Sequence, residues 1–437
     1  MRILLLNQFV PPDEAPTARL LGDLKEHLET LGCIVTLLGA NTGYQGGAKT
    51  GLSRLLRDAK AHLNLLWKGL RLGPFDWIVC LTDPPGLPFT SAILARIKRA
   101  RLAHWAMDVY PQVAVKLGAL PDGLPSRLVA AAMRFGYRDS NPLVALDEDM
   151  KQILETCGGS RIHVLPPWPP LPTAPSEPFT ALSKNATPIS KTPTLDVQSS
   201  TFNVQRSSPI SDTPTFDVQR SSPTSDTQAF DVQHSTFEVQ SSSPISGGAA
   251  ASPQRTWLYS GNLGRAHEYK DLLETQRLLE ASGAPWQLVF QGSGPCRNEA
   301  QALASQLGLK NCHWQPYAPS DQLLPSLLAA DVLIASQKES LQGLLWPSKL
   351  ALMTLTARPI LWLGPTQGQI ATDLAAASPL NGLFSPGHPE AIAQWLSSLP
   401  PKVSANFPTQ ESIQTHAAHL RIQGLNLWAN HLLNSSK

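Results

Sequence analysis

The chain has little that would commit it to a specialised compartment or chemistry. Five of its 437 residues are cysteine, and Cys33, Cys80, Cys157, Cys296 and Cys312 are scattered, with no Cys-x-x-Cys and no histidine at metal-ligand spacing. An odd count without a framework argues against a disulfide scaffold and suits a reducing compartment. A dominant charge is missing as well: the formal net charge is +2, which makes no global case for a nucleic-acid partner. No apolar run approaches the roughly 20 residues that a membrane-spanning helix needs. Met1-Arg2 runs straight into Ile3-Leu4-Leu5-Leu6, too short for the apolar core of a signal peptide. A cytoplasmic protein, free or peripherally bound at the inner face of the membrane, is expected.

Length and apolar content fill in the other side. At 437 residues and 42% hydrophobic, the chain is too long for one ordinary core and suits two or three globular domains. Residues 172–253 are of different material, rich in Ser, Thr, Pro, Asp and Gln. They carry a seven-residue period, as in Thr215-Phe-Asp-Val-Gln-Arg-Ser and Thr236-Phe-Glu-Val-Gln-Ser-Ser. Prolines recur there and helix formers are missing, so the period is not that of a coiled coil. One Phe and one Val per repeat are too few for a core, and the segment reads as a disordered linker. A partner-binding array or a small β-solenoid would show the same repeat. The flanking segments, 1–171 and 254–437, are each the size of one α/β domain.

Both alternate strand and helix. In the first, Ile3–Leu6, Cys33–Leu38, Trp77–Leu81, His104–Met107 and Pro142–Leu146 read as strands, and Thr17–Leu31, Leu52–Leu72 and Phe89–Arg99 as helices. In the second, strands are expected at Thr256–Ser260, Trp286–Phe290, Asp331–Ala335 and Pro359–Leu363, and helices at Lys270–Ser282, Leu350–Thr356 and Ser412–Leu433. Alternation on this scale means a parallel doubly wound sheet, twice.

The informative residues fall at strand ends. Glu339 follows the Asp331–Ala335 strand, then come Gly343 and the pair Ser348-Lys349 opening a helix. Open α/β sheets bind ligands in that position. Helix amides and a lysine favour phosphate, whereas a carboxylate suits sugar hydroxyls, and a sugar nucleotide carries both. Ser260-Gly261-Asn262-Leu263-Gly264-Arg265-Ala266-His267 is expected to open another helix, with glycines that let backbone approach a pyrophosphate and Arg265 adding charge. Gly292-Ser293-Gly294 follows the next strand. Each alone could be an ordinary capped turn; three in one domain make a case together.

These residues resemble a known family. Tyr259-Ser-Gly-Asn-Leu-Gly-Arg-Ala-His267, Phe290-Gln-Gly-Ser-Gly-Pro295, Ala329-Ala-Asp-Val-Leu-Ile334 and Glu339-x3-Gly343-x3-Pro347-Ser-Lys349 look like family 4 glycosyltransferases. So do Asn7-Gln-Phe-Val-Pro-Pro-Asp13, Asp108-Val-Tyr-Pro-Gln112 and Ala145-Leu-Asp-Glu-Asp-Met150. The closest likeness is to the branch that builds bacterial surface polysaccharides, including N-acetylfucosaminyl- and colanic-acid-type transferases. The resemblance implies two Rossmann-like domains facing a cleft, the GT-B fold, with the last helix packing back on the first domain. It implies a retaining hexosyl- or N-acetylhexosaminyl-type transferase moving a sugar from a nucleotide sugar, UDP before GDP, to a glycan or lipid-linked acceptor, usually without a metal or cofactor. Glu339 and Asp108 are then the candidate catalytic pair. Gly261, Asn262, Gly264, Arg265, Gly292, Gly294, Gly343, Ser348 and Lys349 are candidate donor contacts, and Asn7 and Pro12 should face the cleft.

One departure stands out. The family commonly has a second glutamate, which falls here at Ser348 when aligned through Gly343. An inactive nucleotide-sugar-binding homologue, and a sugar-nucleotide epimerase of similar fold, are the readings this leaves open. Two basic stretches, Leu52–Leu72 and Arg96–Arg101, flank apolar positions at helical spacing. Such faces suit an anionic membrane surface, and equally an ordinary packed helix with a solvated basic side.

Overall fold

The computed structural model describes residues 1–13, 15–40, 52–170, 254–400 and 407–434, with 52–55 described by their backbone alone. The heptad repeats of 172–253 lie outside the described residues.

Everything described belongs to one compact unit, residues 1–184 with 252–437. Its first lobe runs β1 (Arg2–Asn7), α1 (Pro16–Thr30), β2 (Ile34–Gly39), α2 (Leu52–Arg71), β3 (Trp77–Cys80), α3 (Leu87–Lys98), β4 (Arg101–Trp105), α4 (Gln112–Lys116), α5 (Leu124–Asp139), β5 (Ser140–Ala145), α6 (Glu148–Thr156) and β6 (Ile162–Val164). Its second runs β7 (Arg255–Ser260), α7 (Lys270–Ala281), β8 (Trp286–Gln291), α8 (Arg297–Gln306), β9 (Cys312–Gln315), α9 (Leu323–Ala329), β10 (Val332–Ser336), β11 (Ile360–Leu363), α11 (Gln369–Ala377), β12 (Gly382–Phe384) and α12 (Pro389–Ser398). Between β10 and β11 lie a 3-10 turn (Glu339–Leu341), the short α10 (Leu350–Met353) and a second 3-10 turn (Thr354–Thr356). A long α13 (Gln410–Asn434) ends the description.

Each lobe holds a six-stranded sheet, ordered β2-β1-β3-β4-β5-β6 and β12-β11-β10-β7-β8-β9. Every pairing is parallel. Parallel strands need both faces covered, which is why the central ones are continuous apolar runs: Ile3, Leu4 and Leu5 are wholly buried, as are Val332 to Ala335. The order reverses between β1 and β3 in one sheet and between β7 and β10 in the other. Those two crevices are where ligands are expected.

The structure departs from the sequence expectation in definable ways. The three strands β6, β9 and β12 were not expected; they are short edge strands whose side chains are mostly half-buried or exposed, so they lack the apolar run that marks a central strand. Residues 261–269 do not open a helix directly, since α7 starts only at Lys270. The expected helix 350–356 is divided into α10 and a 3-10 turn.

The lobes share more than a cleft. The start of α13 puts Ile413 into the core of the second lobe, while Leu425, Trp428, Ala429 and Leu432 enter the core of the first. Fully burying each of those larger side chains contributes roughly 1.5–3 kcal/mol. Arg421 pairs with Asp23 of α1 at 2.7 Å, and Asp23 also accepts a hydrogen bond from the Trp168 indole at 2.8 Å. Leu341 and Leu344 of the second lobe are likewise buried in the core of the first.

Candidate functional site

The loops after β7, β8 and β10 meet at the reversal of the second sheet. The loop after β7 is held against that after β8 by amide-to-carbonyl bonds from Gly261 to Gln291 (2.8 Å) and from Leu263 to Ser293 (2.7 Å). This contact explains Gly292 and Gly294: a Cβ on either would run into the carbonyl of Gly261 or of Leu263. Their absent side chains serve loop-on-loop packing. The amides of Asn262, Gly264 and Arg265 make no hydrogen bond among the described residues, and the side chains of Asn262 and Arg265 are exposed. The loop after β10 joins them through the Lys338 amide, which donates to the Ala266 carbonyl at 2.8 Å. Arg265 and Lys338 both lie close enough to Cys296 to pull on its thiol, whose pKa is nonetheless raised, chiefly by burial.

Lys349 closes the group from above. Its Nζ is buried, has no hydrogen-bond partner among the described residues, and lies 3.4 Å from the centroid of the Tyr259 ring. A Cβ on Gly261 would sit 3.3 Å from that Nζ, so the ammonium faces the glycine loop. Burial lowers its pKa well below the ordinary lysine value. The neighbouring His267 donates from Nδ1 to the Ser336 carbonyl at 2.7 Å, and its pKa is pushed down to about 3, by burial first and Lys349 second. Ser336 Oγ is another buried polar atom without a partner. An unpaired buried cation is costly unless something anionic completes it.

Glu339 and Ser348 are exposed, Glu339 at the start of the 3-10 turn and Ser348 just before α10. Gly343 looks elsewhere. Its φ is +67°, and a Cβ there would meet Ile153 Cδ1 at 2.7 Å and the Asp149 backbone at 3.0 Å, so it belongs to the contact between lobes and does not face the donor loops. The same segment brings Asp108 in. Asp108 forms an isolated antiparallel bridge with Leu345, the Val109 amide donates to the Leu344 carbonyl at 2.8 Å, and α4 packs on the Glu339–Leu341 turn. Asp108 is therefore carried beside the Glu339 segment although the two come from different sheets. Thr82, at the end of β3, accepts from the amides of Met107 and Asp108 at 2.8 and 3.3 Å. The Asp108 carboxyl is pushed up to about 7 by burial and by the charge of Asp83.

Asn7 is buried at the reversal of the first sheet, its Nδ2 donating to the Phe9 carbonyl (2.8 Å) and Thr17 Oγ1 (3.1 Å), while its Oδ1 is unpaired. Pro12 is exposed in the following loop. Thr82 and Asp83 escape a sequence reading because nothing local distinguishes them from loop residues. His267 lay within the quoted Tyr259–His267 motif without a role of its own, and Lys338 carried a signal as a cation next to Glu339. An apolar cavity of about 480 Å³ lies between Trp168, Trp346 and α13, and its lining includes neither Glu339 nor Lys349.

Solved structures share this architecture over whole chains. The lipopolysaccharide outer core galactosyltransferase WaaB, in its apo form, is 13% identical with a TM-score of 0.52, each chain covered in full. Sucrose-phosphate synthase from Thermosynechococcus elongatus is 12% identical, with a TM-score of 0.56 over 99% of this chain and 96% of its own. HepE from Anabaena, in complex with UDP, is 12% identical with a TM-score of 0.51, each chain again covered in full. The fold is GT-B. Residues 247–341 match the family model of glycosyl transferases group 1, the segment that contributes the β7, β8 and β10 loops to the GT-B cleft. That match and the GT-B fold together support a glycosyltransferase. No curated protein matches the chain.

Proposed function

We propose that the protein is a retaining glycosyltransferase that moves a hexosyl or N-acetylhexosaminyl group from a UDP-sugar to a hydroxyl of a glycan or lipid-linked acceptor, in the synthesis of lipopolysaccharide-type or related surface glycans. The observation that carries the donor reading is the buried Lys349 Nζ beside Gly261, without a hydrogen-bond partner among the described residues, with Arg265 and Lys338 exposed on the adjoining loops. In this reading the β-phosphate of the donor lies against Lys349 and the open amides of Asn262, Gly264 and Arg265. The bond from the anomeric carbon to the β-phosphate oxygen breaks with its electron pair leaving on UDP, and fixed positive groups offset that charge as it develops. The acceptor oxygen bonds to the same face of the anomeric carbon, and its proton passes to the departing phosphate. Glu339 accepts hydrogen bonds from donor sugar hydroxyls, which a carboxylate does more strongly than a neutral group. Asp108, presented by the other lobe, positions the acceptor. No resident cofactor or metal is part of the proposal.

The test is a screen of UDP- and GDP-sugars with the purified protein, with and without glycan and lipid-linked acceptors. Transfer from a UDP-sugar with the α or β configuration kept supports the proposal. Tight nucleotide binding with no turnover on any pair replaces it with a binding protein, to which the absence of a glutamate at Ser348 would then be the clue. Sugar isomerisation without acceptor would make it an epimerase.

A further inference from the structure

Gly424 lets α13 close over the first lobe. A Cβ there would lie 2.7 Å from the Trp168 ring, so a side chain would hold the helix off. Leu420 and Leu427, one turn to either side on the same face of the helix, then line a cavity of about 480 Å³. Three further pieces of chain complete its wall. Residues 164–169 follow β6 as a strap of the first lobe, and the prolines at 166, 167 and 169 keep helix out of it. Trp346 and Leu350 come from the α10 segment of the second lobe, and Ile370 from α11. The volume is that of a small-molecule site, which typically measures roughly 300–1,000 Å³.

The wall is mostly apolar, and its ionisable side chains are all acids. Asp147, Glu148 and Asp373 line the cavity, and no Lys, Arg or His does. Asp147 and Glu148 stand at the start of α6 in the first lobe and Asp373 in α11 of the second, so like charges meet across the lobe boundary. Each carboxylate spends one oxygen inside the protein: Asp147 on the Met150 amide at 2.7 Å, Glu148 on Lys151 at 2.9 Å, and Asp373 on the Gln369 side-chain amide at 2.7 Å. Asp147 is only 5% exposed. Burial pushes its carboxyl up to about 6, with Asp149, Asp373 and Glu148 adding to the shift. A cation delivered into the cavity relieves both the burial and the repulsion.

We infer that this cavity binds an apolar small molecule carrying an ammonium group, its body lodged among Trp346, Ile370, Leu420 and Leu427 and its ammonium donating to Asp147 and Asp373. Charge and polarity select that class. An anion would meet three carboxylates, and a sugar would set its hydroxyls against aliphatic walls that cannot hydrogen-bond them. An ammonium beside a carboxylate makes a charge-assisted hydrogen bond, the stronger kind. Because the two carboxylates belong to different lobes, the ligand ties the lobes together, and lobe register and ligand binding favour each other. None of these residues belongs to the donor loops, so the site stands whether or not the chain transfers sugar.

Calorimetry on the full chain without nucleotide tests it, using three indoles of one shape: tryptamine, the neutral tryptophol and the anionic indole-3-acetate. Tryptamine is expected to bind about tenfold more tightly than tryptophol, the worth of one charge-assisted hydrogen bond, and indole-3-acetate not at all. Asp373→Asn, at an exposed position, should bring tryptamine down to the affinity of tryptophol. Ala351→Phe, which puts a ring into the cavity, should abolish binding of both, with an unchanged melting temperature showing that the variant is folded. Bound tryptamine should also slow hydrogen exchange of the Gln369–Thr372 amides at the start of α11. Equal affinity for the three compounds overturns the inference. So does tryptamine binding that survives Ala351→Phe, or no binding of tryptamine at millimolar concentration.

Discussion

Asp149 Oδ2, in the first lobe, accepts a hydrogen bond at 3.0 Å from the amide of Gln369, the first residue of α11 in the second. A carboxylate of one lobe thus caps a helix of the other, and the Gln342 side chain donates to the same oxygen at 3.2 Å. Both bonds require the lobes to be in register. Asp149→Ala should remove a helix cap, at a cost of about 1 kcal/mol, and loosen the closed arrangement. Hydrogen exchange of the Gln369–Thr372 amides should speed up while that of the β7 and β10 strands stays as it was; uniform acceleration everywhere would show that the contact is not local.

Lys349 should trade stability against binding. Removing a buried amine that has no hydrogen-bond partner among the described residues relieves its desolvation cost, so Lys349→Met is expected to raise the melting temperature while weakening UDP binding at least tenfold. Because its pKa is lowered by burial, a bound diphosphate should restore the proton. Calorimetry in buffers of different ionisation enthalpy should then show proton uptake on UDP binding in the wild type and none in the variant. A variant with wild-type affinity would displace the donor phosphate from this position.

Asp108 sets a pH dependence of one sign and the histidines one of the other. The folded-state pKa of Asp108 is raised from 3.8 to about 7, so its contribution is fully present below 3.8 and is lost as pH rises through 7. His104 and His267 are depressed from 6.5 to about 4 and about 3, so their contribution is present above 6.5 and is lost as pH falls. Stability should therefore peak at mildly acidic pH. Asp108→Asn should flatten the alkaline limb, seen as melting temperatures that no longer fall as pH rises from 6.5 through about 7, and leave the acid limb in place. Loss of the acid limb instead would assign the groups the other way.

Trp428 ties α13 to the first lobe from within its core, packed 5.1 Å from the Trp105 ring centroid to centroid. Trp428→Ala should cost about 3–5 kcal/mol and turn a single urea transition into two, as each lobe melts on its own. Trp428→Phe keeps most of the packing and removes an indole N–H that has no acceptor, so it should cost far less. Equal losses for the two variants would point away from packing.

Ala357 holds a left-handed conformation, φ 52°, where the 3-10 turn after α10 ends, and its side chain is exposed. Glycine relieves that strain with no packing lost. Ala357→Gly should stabilise the fold by about 0.5–1 kcal/mol, read as a higher urea midpoint with an unchanged slope.

The sequence by itself determined which segments would be central strands. Runs such as Ile3–Leu6 and Val332–Ala335 have no polar position to turn toward water, and only a strand covered on both faces accommodates them. It also determined that Gly, Arg, Glu and Lys cluster at strand ends, because local punctuation between strand and helix is written in residue type. It did not determine what those residues touch. Gly292 and Gly294 answer to a neighbouring loop, Gly343 to a helix of the other lobe, and Lys98 to the end of α2, all through contacts between residues far apart in the chain. Nor could periodicity tell that Leu56, Leu63, Trp67 and Leu70 stay outside. An apolar stripe on each side of a helix looks the same in one dimension, and which stripe is buried depends on where Leu94 and Gly69 meet. The height of Asp108's pKa and the depression of Lys349's are likewise products of burial, which exists only once segments distant in the chain have packed around them.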